Sequence, residues 1–140
     1  MEPSEFSAFR TDRDPIITEK VRGGGVCLLI RDEWCRAVVI REQLCTPDIE
    51  LLCVSLRPFY LEFPQLFFTV VYIHPKANFN KATEIIFNLS QRLKSLSPDA
   101  PTFFLGDFNN CLVKKSLRTY YQYVDCHTRN EKTGYVLWNC

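Results

Sequence analysis

An amphipathic segment held between two apolar runs constrains this chain more than any other feature. Residues 66–73, LFFTVVYI, form an unbroken apolar stretch ending at His74-Pro75, and read as a fully buried strand. Residues 102–106, TFFLG, read as a second strand. Between them Ala82, Ile85, Ile86, Leu89, Leu93 and Leu96 recur three or four apart, the stripe of a helix over residues 80–96. Asn78 or Asn80 suits its N-cap and Glu84 its first turn, and Ser97-Pro98-Asp99-Ala100-Pro101 ends it. Strand, helix, strand over this length is a βαβ crossover, so the two strands run parallel and share a carboxyl edge. Tyr72–Pro75 and Asp107–Asn110 then lie at one rim, where ligands of α/β sheets bind.

The remaining elements are placed around that unit. VCLLIRDEWCRAVVIRE is two apolar runs split by Arg31-Asp32-Glu33, a hairpin pattern, and IELLCVSLRP is a further strand closed by Pro58. Residues 1–22 are charged and aperiodic and read as loop or a weak edge strand. In Arg22-Gly23-Gly24-Gly25 the glycines permit positive φ or close backbone approach. A short helix is expected over residues 113–121 and a last strand over 135–138. The division expected is a poorly defined segment, 1–22, and one α/β (α+β) domain, 23–140.

With 140 residues the chain is one domain or part of one. A net charge of +1 argues neither for nor against a nucleic-acid partner. No apolar stretch is long enough to span a bilayer, and the polar start MEPSEFSAFRTDRD is no signal peptide. The seven cysteines are irregularly spaced without a CxxC, and there are two histidines, which argues against a zinc module. Cysteines set in apolar runs behave as small hydrophobes in a reducing compartment. The expected location is intracellular, the nucleus included, and not secreted.

Several residues carry candidate chemistry. Asp107, closing the apolar run before FNN, suits a general base that orients water, a metal ligand, or a plain turn cap. Asn109 suits a phosphate contact or turn backbone. Tyr72 suits a hydroxyl at the rim or a core aromatic, and His74 a base or a surface loop. Thr128 and Arg129 suit phosphate contacts or an exposed polar loop. Lys114, Lys115, Arg118 and Arg129, interleaved with Tyr120, Tyr121 and Tyr123, have the composition of a nucleic-acid surface and equally that of a solvated helix face.

RGGGVCLLI, TVVYIHP, FFLGDFNN and YYQYVDCHTR occur in an order that resembles endonuclease/exonuclease/phosphatase domains, most closely the endonuclease of LINE-type (non-LTR) retrotransposons. The similarity runs from about Phe9 to Arg129 and implies an incomplete four-layered α/β sandwich. It further implies cleavage of phosphodiesters or phosphomonoesters with Mg²⁺ and DNA as partner. A reverse transcriptase of the same element would be lost or encoded elsewhere, and no membrane role is implied. By this resemblance Asp107 orients the attacking water, Asn109 binds the scissile phosphate, Tyr72 helps hold it, and Thr128 lines the site.

The departures shape the expectation. The family's Asn-bearing first strand and metal-binding Glu would precede Met1, and its Asp/Ser-His pair would follow Cys140. Gly134-Tyr135 stand where Leu-Asp is expected, and His127 where Pro is common. Mg²⁺ needs carboxylate oxygens in good geometry, and Asp107 by itself is a poor site, so no metal ligand is assigned. The expectation is a domain truncated at both ends and hydrolytically inactive by itself. A non-catalytic nucleic-acid-binding remnant, and action on another phosphoester, are the alternatives. Missing strands would expose a sheet edge or inner face and favour instability or self-association.

Overall fold

The computed structural model describes residues 5–14, 16, 24–122, 127–129 and 132–139. In chain order its strands are β1 (Phe6–Thr11), β2 (Val26–Arg31), β3 (Cys35–Cys45), β4 (Ile49–Pro58) and β5 (Leu66–Ile73). The helix α1 (Phe79–Leu96) follows, then β6 (Thr102–Asp107), a 3₁₀ turn over Val113–Lys115, β7 (Tyr121–Gln122), β8 (His127–Arg129) and β9 (Lys132–Asn139). β1 and β2 form a small antiparallel sheet. The larger sheet has the order β3-β4-β5-β6-β9-β7, with β8 paired to β9.

β5 and β6 pair in parallel from Phe67↔Thr102 to Tyr72↔Asp107, with α1 as their crossover. Every other pairing described is antiparallel. The centre of the large sheet is apolar on both sides because both sides are covered. On one side Leu51, Cys53, Phe67, Val71 and Phe104 pack with Ala82, Ile86, Leu89 and Leu93 of α1. On the other, Leu52, Val54, Leu56 and Leu66 pack with Val26 and Ile30 of β2. The layers are therefore helix, large sheet, small sheet, held by burial of the two strand faces.

α1 starts one residue earlier than the apolar spacing predicts. The Asn78 side chain caps it by accepting from the Lys81 N–H at 3.2 Å. Glu84 consequently falls beyond the first turn, which holds no acid, and Leu96, at the frayed end of the stripe, is exposed.

Two other expectations are corrected. VCLLIRDEWCRAVVIRE is not a hairpin: β2 pairs with β1, β3 pairs with β4, and the Arg31-Asp32-Glu33 turn passes the chain from one sheet to the other. Trp34, directly after that turn, packs edge-on against Phe68 with ring centroids 6.0 Å apart. The helix expected over 113–121 is a single 3₁₀ turn. Leu117 and Tyr120 turn inward separately, and the Tyr120 ring tilts 5.5 Å from Phe104. Within 1–22, Phe6–Thr11 takes up the edge-strand alternative, though residues 1–4, 15 and 17–22 lie outside the described residues.

β3 borders the large sheet, with Val39 and Ile40 exposed. Register shifts at Arg36/Val39 and Ile40/Glu42, with Ala37 at φ 53°, break its hydrogen-bond row. Bulges and flanking charges of this kind blunt an edge against pairing with a second chain.

Candidate functional site

Each letter of the GDFN turn has a geometric task. Gly106 has φ 142°, and a Cβ there would lie 1.9 Å from the Val71 carbonyl oxygen, so β5 and β6 reach their closing register with glycine at this position. Asp107 accepts the Asn109 N–H on Oδ1 at 3.0 Å, an Asx turn. Phe108 is fully buried in the helix-side core and anchors the turn. Asn109 adopts φ 49°, a left-handed conformation that Asn tolerates better than most residues. Its Nδ2 donates to the Ile73 carbonyl, tying the end of β5 to the turn after β6.

The parallel register sets Tyr72 beside Asp107, and the antiparallel β4–β5 register sets Glu50 beside Tyr72. Partnered residues in a sheet project to the same face, and adjacent strands lie about 4.8 Å apart. Glu50, Tyr72 and Asp107 thus form one row across the rim, on the face toward the small sheet. Tyr72 packs at the edge of the core on that face. The strand-end inference from sequence is met: the phenol-bearing and carboxylate-bearing ends adjoin.

Arg13 and Glu50 are site residues that sequence reasoning did not find. Glu50 is 3% exposed, inside an apolar strand. Its carboxylate takes Nε of Arg13 on Oε1 and the Gly25 N–H on Oε2 at 2.9 Å. The guanidinium carbon of Arg13 stands 5.6 Å from the Tyr72 ring centroid. The hydrogen bond to Glu50 raises the Arg13 pKa above its ordinary value, against the opposing effect of burial, and the guanidinium stays charged. A small cleft opens here, lined by Arg13, Thr46, Asp48, Glu50, Tyr72 and His74 among others. His74 accepts the Lys76 N–H on Nδ1 at 3.1 Å. The available signal was the acid in DIELLCV: a carboxylate within a buried run demands a partner.

The other candidates distribute around this rim. β8, which carries Thr128 and Arg129, pairs with β9 at His127↔Thr133, one residue from Gly134, which stands opposite Asp107. Thr128 therefore belongs to the rim end of β9 by backbone register; its side chain and that of Arg129 lie outside the described residues. Lys114 and Lys115 form the 3₁₀ turn, and Arg118 donates from Nε to the Lys115 carbonyl at 3.4 Å. Lys115 lines a separate cleft with Asn110, Phe79, Thr83 and Glu84, on the helix side of the sheet. Lys115 thus stands on the opposite face of the sheet from Tyr72.

Chemically, the row offers a phenol and two carboxylates, with the Arg13 cation beside it. The Asn109 side chain is 1% exposed and its Oδ1 is buried without a hydrogen-bond partner. As an acceptor Oδ1 repels an anion; the second N–H of Nδ2 is the atom of this amide suited to a phosphate oxygen. Mg²⁺, the ion the sequence resemblance implies, does not fit this donor set. Asp107 engages Oδ1 in its turn, Glu50 is neutralised by Arg13 and Gly25, and the described residues contain no group of three or more His, Cys, Asp or Glu able to hold a metal ion. Nor is any helix among the described residues long and apolar enough to cross a membrane.

No family model matches this sequence, and no curated protein matches it significantly. Its likeness is to solved structures. The human Nocturnin catalytic domain with bound sulfate anion superposes with a TM-score of 0.66 at 13% identity, over 96% of this chain and 61% of that one. An endonuclease/exonuclease/phosphatase family protein from Bacteroides thetaiotaomicron superposes with a TM-score of 0.53 at 10% identity, over 95% of this chain and 60% of that one. The chain thus spans about three fifths of the length of the structures it matches. Its mixed α/β architecture is the fold that these two structures share.

Proposed function

We propose that the rim bearing Tyr72 and Asp107 is a phosphodiester-recognition site derived from a LINE-type retrotransposon endonuclease. The chain by itself holds DNA there and does not hydrolyse it. The observation that carries this reading is the parallel register that sets Tyr72 beside Asp107, closed by the GDFN turn. The likeness to a catalytic domain solved with a bound sulfate, a tetrahedral oxyanion, supports a phosphate-sized ligand.

In this reading the Tyr72 hydroxyl and the second N–H of Asn109 Nδ2 donate to phosphate oxygens, and Thr128 lines the same pocket. Asp107 is the group that would orient water, the ancestral task. Lys114, Lys115, Arg118 and Arg129 contribute electrostatic attraction to the DNA backbone flanking the rim. Hydrolysis is absent because the described residues include no group of three or more His, Cys, Asp or Glu to hold a divalent cation against the charge developing at phosphorus.

Incubation with supercoiled plasmid and Mg²⁺ tests this. The expected result is salt-sensitive DNA binding without nicking. Metal-dependent nicking that vanishes in Asp107→Ala would overturn the inactivity. Loss of all DNA binding would overturn the recognition role.

A further inference from the structure

Arg22-Gly23-Gly24-Gly25 stands out in the sequence, and the phosphate site as described gives it no task. Its described glycines have φ 103° at Gly24 and 92° at Gly25. A Cβ on Gly24 would lie 2.1 Å from the guanidinium carbon of Arg13, and one on Gly25 would lie 2.8 Å from the Thr11 carbonyl oxygen. The segment therefore makes room for the Arg13 side chain and brings the Gly25 N–H to Glu50. Both features converge on the ion pair beneath Tyr72.

That ion pair is an expensive way to hold two sheets together. Its side chains are 11% and 4% exposed, and desolvating two charges offsets most of their attraction. Well-packed apolar residues would serve cohesion as well. What the pair supplies is orientation. Glu50 is fixed by two donors from the small-sheet side, it fixes the guanidinium, and the guanidinium lies against the Tyr72 ring. We propose that Arg13, held by Glu50 and the glycine segment, is a positioning residue for Tyr72. It fixes the ring so that the phenol meets a phosphodiester oxygen, and its charge polarises the ring toward donation. This rests on the phosphate-site reading of Tyr72.

The test uses the full chain and a short DNA duplex at fixed salt. Arg13→Met leaves Glu50 buried and unpaired and endangers folding, so the working variant is Arg13→Met with Glu50→Gln. This pair leaves net charge unchanged and keeps an acceptor for the Gly25 N–H. DNA affinity is expected to fall roughly threefold to thirtyfold, the range of a cation–π contact. In a Tyr72→Phe background the same pair is expected to change affinity less than twofold. Gly24→Ala is expected to reproduce the loss by displacing the guanidinium. An equal loss with and without the phenol would mean a merely structural role and overturn the proposal.

A second readout needs no DNA. In chain labelled with ¹³C at tyrosine, the Tyr72 resonance, assigned by its absence in Tyr72→Phe, is expected to move in the Arg13→Met/Glu50→Gln variant. An unmoved resonance overturns the proposal. A moved resonance in a chain whose DNA affinity ignores Tyr72→Phe would keep the Arg13–Tyr72 coupling and reject the phosphate-site reading.

Discussion

Gly106→Ala is the sharpest perturbation this structure offers. Its φ of 142° lies in a region that is essentially glycine's, at a cost of about 1–3 kcal/mol for any other residue. The new methyl would lie 1.9 Å from the Val71 carbonyl oxygen, 2.9 Å from its carbon and 3.0 Å from the Val71 nitrogen. All three are backbone atoms of the adjacent strand, so no side-chain rotation relieves the clash. Overpacking of this kind costs about another 1–3 kcal/mol, for a total near 2–6 kcal/mol. A chain of 140 residues has an unfolding entropy of about 0.3 kcal/mol/K, so Tm should fall by roughly 7–20 °C. Urea titration followed by circular dichroism measures the loss. A Gly106→Ala chain within about 0.5 kcal/mol of the parent would refute the close β5–β6 register and the rim built on it. Gly24→Ala is the contrast: its methyl meets the end of the flexible Arg13 side chain, so the stability loss should be the smaller of the two.

Other outcomes follow from single contacts. Phe108→Ala empties a fully buried ring site under the GDFN turn and should cost about 3–5 kcal/mol in urea titration. Asn109→Asp would set a carboxylate oxygen against the Ile73 carbonyl in place of a donor; thermal melting should show a loss of about 1–3 kcal/mol or more. Burial pushes the Cys53 thiol up to about 11 from 9.0 and the Tyr120 phenol up to about 12 from 10.0. Unfolded chains ionise these groups first, so stability should hold below pH 9 and fall as pH rises from about 9 to 11, then further toward 12. Urea midpoints across that range check the sign, and Cys53→Ala should flatten the first part of the decline. At pH 8 exposed Cys27 should react with a disulfide reagent in the native chain while Cys53 stays protected until unfolding.

What sequence reasoning recovered and missed follows from the reach of each signal. The crossover was legible because LFFTVVYI, the α1 stripe and TFFLG are unambiguous, and a βαβ unit leaves one choice of strand direction. The adjacency of Tyr72 and Asp107 was contained in that topology. The sheet change at Arg31-Asp32-Glu33 was not: local residues specify a turn, but the partner of β2 is decided by which sheet face needs covering. Likewise Leu117 and Tyr120 have helical spacing, yet separate turns deliver them to the core better than one helix would. Arg13 and Glu50 are 37 residues apart, so neither predicts the other. Asn109 was legible as a turn residue, but its donation to the Ile73 carbonyl, 36 residues away, was not.

The most direct measurement is the affinity of the Asp107→Asn chain for a short DNA duplex, compared with the parent at equal salt. A carboxylate repels a phosphate by about 1 kcal/mol at 4 Å in a water-like medium. Removing that charge should therefore tighten binding roughly fivefold. Weaker binding in Asp107→Asn, or Mg²⁺-dependent tightening confined to the parent, would show that Asp107 works through a bound cation and would contradict the inert, phosphate-holding site.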